Sequence, residues 1–274
     1  MLQLPIPIID YNGQNITGFD VKKIPGGALA DAKKAAERNS YLGIHEWNCG
    51  CLKSFISEDG TEITEKDEMR KLSRLTPFES AIYIGIQGVI IKSVDDGIEG
   101  VYPCPSCSHV IRAEKKIIDG EEIDTRDFIS ALPLNIMPKP YSKTWSVFLV
   151  DSVVITDKRT GEVLQSVESL TFHHVTLGDC IRVYDQNPAL MEDKIRFQYQ
   201  CWIEALEQIN ATPISKSIKS MYGMPIFERI DDFSPFTEMK TYGINPVIKK
   251  SCPKCRKEFE TEINTANFFG SGLR

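Results

Sequence analysis

The stretches Cys104-Pro105-Ser106-Cys107-Ser108-His109-Val110-Ile111-Arg112-Ala113-Glu114 and Cys252-Pro253-Lys254-Cys255-Arg256-Lys257-Glu258-Phe259-Glu260-Thr261-Glu262 read as copies of one another. Each is a CPxC turn followed by a short strand-like run with interleaved charges. A CxxC turn aims two thiolates at one metal, and two such turns complete a tetrahedral four-cysteine site. One CxxC alone is weak evidence, whereas a matched pair supplies both halves of a structural zinc site. Cys104, Cys107, Cys252 and Cys255 are therefore expected to bind one structural Zn2+. The site would tie the middle of the chain to its C-terminal end. It closes a loop of roughly 140 residues, and closure entropy grows only logarithmically with loop length. Lys254, Arg256, Lys257 and Arg112 lie close in sequence and favour thiolates.

Working outward, the 274 residues are 42% hydrophobic and 26% charged, ordinary material for one large or two small domains. The net charge of −6 argues against a nucleic-acid binder that uses its whole surface. The eight cysteines are not read as disulfides, because the apolar stretch Leu2 to Ile9 is short, is broken by Pro5 and Pro7, and has no basic leader. In a reducing compartment CxxC pairs favour metal. No apolar run approaches the roughly 20 residues that span a bilayer, so no membrane partner is expected.

Ala28 to Arg38 reads as a helix, and Thr64 to Leu72 as another with Thr64 as its cap. Thr76-Pro77-Phe78-Glu79 reads as a helix start with a capping box. Trp47 to Ile56 fits strand or buried helix equally. Glu121 to Pro140 reads as a connector, and Trp145 to Phe172 as a small antiparallel sheet turning at Asp157 to Gly161. Thr176-Leu177-Gly178-Asp179 opens a helix. Ile195, Tyr199, Trp202, Leu206 and Ile209 are spaced 4, 3, 4, 3, an amphipathic stripe. Ser234-Pro235 starts a last short helix, ended by Gly243 and Pro246. The order lacks βαβ regularity, so the expected class is α+β: a small antiparallel sheet plus helices, with a zinc-ribbon-like site. The expected segments are a mixed helical region (1–100), the first knuckle (101–120), a connector and β region (121–175), a helical region (176–246), and the second knuckle with an aromatic tail (247–274).

Other candidates are weighed against plain packing. Cys49-Gly50-Cys51 would replace one knuckle, form a second site with His45, or be semi-buried apolar cysteines; the last is preferred. Cys180 and Cys201 are read as core residues without a close partner. His45-Glu46 begins like HExxH, but Cys49 stands where the second histidine belongs. His109 is read as a surface residue rather than a rival ligand, and His173-His174 as structural. There is no GxSxG and no glycine-rich phosphate loop, so no enzyme is expected. Phe268-Phe269 is read as covering the knuckle or binding a partner. Lys249, Lys250, Lys254, Arg256 and Lys257 are read as a solvated face, with phosphate contact as the alternative.

Taken together, the capped helix before a CPxC turn, the β segment, the T-x-G-D helix, and the final CPKC, acidic strand and F-F resemble a phage family. They are similar to the baseplate-hub and tail-assembly proteins of long-tailed bacteriophages, including the family named for the base plate of contractile-tailed phages. The match is closest over 247–270. Ser108 and Arg256 replace the family's usual glycine after the second knuckle cysteine, and the chain is longer than the short hub chaperones. The resemblance implies a non-enzymatic structural or assembly protein with other tail or baseplate proteins as partners. It would reside in the virion tail or baseplate, or in the host cytoplasm during assembly. A homo-oligomer is compatible with this reading, and nucleic acid is not an expected partner. The alternative is a nucleic-acid-binding zinc ribbon, and the third reading is a zinc enzyme using His45, Cys49 and Cys51.

Overall fold

Strand β1 (Leu2–Ile9) contains Pro5 and Pro7, which cannot donate to a ladder. Its antiparallel pairing with β2 (Asn15–Val21) accordingly breaks between Gln3 and Ile8. The freed backbone of Ile6 is satisfied by one distant side chain. The Ser80 hydroxyl donates to the Ile6 carbonyl (2.7 Å) and accepts from the Ile6 N–H (3.0 Å). This is the accounting that a buried backbone demands.

The computed structural model describes residues 1–92, 97–128, 133–156, 163–230, 233, 236, 242–245 and 247–263. After β2 come α1 (Gly26–Arg38), α2 (Ser40–Cys51), β3 (Leu52–Ser57), β4 (Glu62–Ile63), α3 (Lys66–Leu75) and α4 (Phe78–Lys92). The first four strands form one antiparallel sheet in the order β1-β2-β3-β4. Its core is Leu4, Ile8, Ile16, Phe19, Trp47, Phe55 and Ile84, all buried. The ambiguous stretch Trp47 to Ile56 is both things in turn, the end of α2 and then β3.

Helix α4 is apolar nearly all round, as a helix buried on several sides must be. Ile84 faces the first sheet, Ala81 and Ile82 face Leu177 and Ile181, and Ile86 faces Ile263. Trp47 Nε1 donates to the Gly85 carbonyl of α4 (3.0 Å). A Cβ on Gly88 would lie 2.6 Å from Cys51 Sγ, so the close approach of α2 to α4 requires glycine there. The expected cap at Thr76 is a correction. Its hydroxyl donates back to the Leu72 carbonyl (2.8 Å) and closes α3 instead of opening α4. Glu65, not Thr64, caps α3 through the N–H groups of Asp67 and Glu68.

Short strands follow α4: β5 (Gly97–Ile98), β6 (Gly100–Pro103), β7 (Val110–Ala113), β8 (Lys115–Ile118), β9 (Glu121–Asp124), β10 (Asp127–Phe128) and β11 (Leu134–Asn135), the last three of them within the expected connector Glu121 to Pro140. A long antiparallel pair follows, β12 (Thr144–Thr156) and β13 (Val163–His173). Then come α5 (Leu177–Gln186), α6 (Lys194–Ala205), β14 (Leu206–Ile209), β15 (Thr212–Pro213) and α7 (Lys216–Phe227). The second sheet runs β12-β13-β14-β15. Phe172, Trp202, Phe227 and Phe236 form its aromatic core, with Trp145 stacked on Phe172 at 4.5 Å. The chain then makes β16 (Gly243–Ile244), β17 (Val247–Ser251) and β18 (Glu258–Glu262).

The helical stripe from Ile195 to Ile209 is only half a helix. α6 ends at Ala205, and Leu206 to Ile209 pairs with β13 as strand β14. Asn210 and Ala211 have positive φ, which suits a tight hairpin turn. The Asn210 carboxamide accepts from the N–H groups of Glu168 and Ser169, clamping that turn to β13. Ile195 is 62% exposed, outside the core. The fold is α+β. The expected turn at Asp157 to Gly161 and the helix start at Ser234-Pro235 lie outside the described residues.

Candidate metal centre

The two knuckles share strand register, turn hydrogen bonds and the burial of their cysteines. β6 pairs with β7 so that Pro103 faces Val110, and β17 pairs with β18 so that Ser251 faces Glu258. Inside each turn the same two hydrogen bonds recur. Cys104 N–H donates to His109 O and Ser108 N–H to Cys104 O, both at 2.8 Å. Cys252 N–H donates to Lys257 O (3.0 Å) and Arg256 N–H to Cys252 O (2.8 Å). The first cysteine of each pair is buried and the second half-buried.

Ser108 and Arg256 have φ of 56° and 61°. Both occupy the left-handed region, which for residues other than glycine costs roughly 1–2 kcal/mol. The turn demands this conformation, and these two side chains tolerate it under strain. Relief of that strain, less the extra chain entropy of glycine, is expected to leave Ser108→Gly and Arg256→Gly each more stable by about 0.5–1 kcal/mol. Chemical denaturation of the metal-loaded protein measures this. A loss of stability in both variants would contradict the account.

The knuckles meet head-on. Cys104 Sγ lies 3.7 Å from Cys255 Sγ, and Cys107 Sγ lies 3.6 Å from Cys252 Sγ. All four sulfurs fall within 4.8 Å of one another. Disulfide bonding needs about 2.05 Å, so these are not disulfides. A tetrahedron of thiolates around an ion at about 2.3 Å has edges of about 3.8 Å. The observed spacings fit that figure, and four soft sulfur donors suit a metal that prefers thiolate.

The local field is prepared for thiolates unevenly. The N–H groups of Cys255 and Lys254 point at Cys252 and hold its thiol down at about 7. Cys107 receives the His109 N–H, yet desolvation and the surrounding sulfurs push it up to about 12. Four bare thiolates would repel one another. A cation at their centre removes that penalty and displaces the protons.

A second brace, invisible from the CPxC spacing, lies beside the cluster. The Tyr102 hydroxyl donates to Asp127 Oδ2 (2.7 Å), and Lys250 Nζ reaches Asp127 Oδ1 (2.5 Å). Lys250 also sits 5.0 Å above the Tyr102 ring. Strand β6, strand β10 and strand β17 are thus joined through one carboxylate. The only sequence signal was a tyrosine two residues before a knuckle and a lysine two before its twin.

The remaining candidates are separated. His45 and Cys49 share one face of α2, with Cys49 Sγ 3.9 Å from the ring, while Cys51 turns into the core. Burial holds His45 down at about 4 and pushes Cys49 up to about 11. His45 Nδ1 lies 3.1 Å from the Ser73 hydroxyl. Cys180 and Cys201 do have a close partner, each other, at 4.0 Å between α5 and α6. His173 bridges Asp179 (3.1 Å) and Glu207 (3.3 Å), and His174 Nε2 lies 3.2 Å from the Ser142 carbonyl. Among the basic cluster, Lys250 turns inward and Lys249 faces Glu260 at 3.9 Å. Phe268 and Phe269 lie outside the described residues. No family model, no curated protein and no solved structure matches the chain.

Proposed function

We propose that this chain is a non-enzymatic structural or assembly protein of a bacteriophage tail, belonging to the baseplate hub or acting in its assembly, and that its four-cysteine cluster holds structural Zn2+. The observation that carries the structural half is the closed donor set. Four thiolates complete a tetrahedron and leave no position for water or substrate. Such an ion braces the chain and does no chemistry.

The tail half rests on the family resemblance of the knuckles and the T-x-G-D helix. Its partner contacts are drawn from exposed apolar surface. Phe148, Val150 and Val154 lie on β12, an edge strand, and are 74%, 68% and 40% exposed. The β8–β9 hairpin exposes Ile117, Ile118 and Ile123, and none of its eight strand residues is buried. Two-stranded hairpins of this kind are marginal alone and gain from a covering surface. The nucleic-acid reading has less support, because Lys250 is committed to Asp127 and Tyr102.

Infection with a phage lacking this chain, examined by electron microscopy, tests the reading. Tails arrested without complete baseplates are expected. Normal, infectious tails would refute it. Among the described residues no helix is long and apolar enough to cross a membrane.

A further inference from the structure

Away from the cysteine cluster lies a cleft of about 810 Å3, walled by the end of β1, the ends of α1 and α3, and the exposed side of α5. In a chain of net charge −6, four full cations line it: Arg38, Arg74, Lys143 and Arg182. They come from four separate segments, so the fold, not a local run of sequence, gathers them. Arg38 and Arg74 are in the last turns of α1 and α3, where a cation is favoured by the helix dipole in any case. Lys143 precedes β12 and lacks that explanation, whereas Arg182, within α5, pairs with Asp179 and Glu204.

The two carboxylates in the cleft are already engaged. Asp179 accepts from Thr176 and pairs with His173 and Arg182. Asp185 accepts from Asn39 Nδ2 at 2.9 Å. Arg38, Arg74 and Lys143 have no ion pair among the described residues. Converging cations on a concave, low-dielectric wall focus a field that an anion relieves. Arginine forks match phosphoryl oxygens two at a time. Tyr11, on the rim, is 71% exposed. It rides on a turn pinned by Asp10, whose carboxylate accepts from Asn12 N–H (2.9 Å) and Gln14 N–H (2.7 Å). An exposed aromatic ring at the edge of a cationic cleft offers a stacking face.

We propose that this cleft binds a small phosphorylated molecule that carries a ring, with Arg38, Arg74 and Lys143 holding the phosphoryl groups and Tyr11 stacking on the ring. Nothing in this site depends on the zinc or on the tail assignment.

Calorimetric titration of the full, metal-loaded chain with inorganic pyrophosphate, sulfate and ADP tests it. Pyrophosphate is expected to bind more tightly than sulfate, with affinity falling as salt rises. The double variant Arg38→Gln/Arg74→Gln is expected to lose about 10-fold or more, the loss of charge-assisted hydrogen bonds. ADP is expected to exceed pyrophosphate, and Tyr11→Ala to remove that advantage alone. All three substituted side chains are exposed, and unchanged melting and metal content would show that the variants are folded. Absence of pyrophosphate binding at millimolar concentration overturns the proposal. So does equal affinity for sulfate, or undiminished binding by the double variant. ADP no tighter than pyrophosphate overturns the role of Tyr11.

Discussion

Cys252→Ser is expected to release the metal and to uncouple both knuckles from the rest of the chain. Serine is too weak a donor to replace a thiolate, and three sulfurs leave the tetrahedron open. Structural zinc supplies apparent binding energies of about 10–16 kcal/mol in zinc-finger peptides. An ion held by all four cysteines would also act as a cross-link. Cys107 and Cys252 are 145 residues apart, and by the chain-entropy argument used for disulfides such a link is worth about 5 kcal/mol. Beyond the Tyr102–Asp127–Lys250 brace and the packing of Ile248 and Ile263 with Ile86, the ribbons bury little. Val101 and Val110 are 59% and 47% exposed, and every residue of β18 is exposed or half-buried.

The effect should be local. Trp47, Trp145 and Trp202 lie in or against the two larger cores, not in the ribbons. Tryptophan fluorescence is therefore expected to stay native in Cys252→Ser, while amide protection is lost over 100–113 and 247–262. Metal content should fall from one ion per chain to none, and Cys104→Ser should behave identically. Retention of a full equivalent of metal by either variant would sink the four-cysteine assignment. Loss of fluorescence together with metal would show that the ribbons hold the cores, not the reverse.

The cysteine cluster was legible because its signal is local and duplicated. A CPxC turn fixes two ligands by spacing, and a second copy names the partner. The helices with intact local signals were legible for the same reason. Thr176 and Asp179 form the capping box that their spacing suggests. Thr76 has an equally good local pattern and does something else, because Leu177 N–H claims its carbonyl and Leu72 its hydroxyl. The stripe through Leu206 and Ile209 satisfied helical spacing, but strand β13 offered backbone partners that a sequence window does not contain. Cys180 and Cys201 face each other only because α5 packs on α6. The Tyr102–Asp127–Lys250 brace needs three segments up to 148 residues apart, and no spacing rule reaches it.

Asp179→Ala is expected to be clearly destabilising, with a signature in its pH dependence. Asp179 is 1% exposed. Its carboxylate accepts from Thr176 N–H (2.8 Å) and the Thr176 hydroxyl (2.7 Å), and pairs with His173 (3.1 Å) and Arg182. Removal breaks the reciprocal half of the capping box, leaving Thr176 as the only cap, and leaves His173 with Glu207 alone. The partners left behind are partly exposed, so the cost is that of lost hydrogen bonds to a charged acceptor, about 1.5–3 kcal/mol, and α5 packs on α4 and α2 through Leu177 and Ile181. Burial by itself raises the acid's pKa, but the His173 and Thr176 contacts outweigh it and hold the group below its ordinary value. A carboxylate depressed in the folded state contributes stability above its unfolded pKa, near 4, and loses it as pH falls through the folded value. The gap in unfolding free energy between wild type and Asp179→Ala should therefore be widest at neutral pH and narrow below about pH 4. Asp179→Asn keeps the shape and one acceptor, so it should lose less and show a flatter acid limb. Metal release in acid affects all three proteins alike and cancels in the differences. A gap that stays constant from neutral pH to well below 4 would mean that Asp179 acts by shape alone and that its charge contributes nothing.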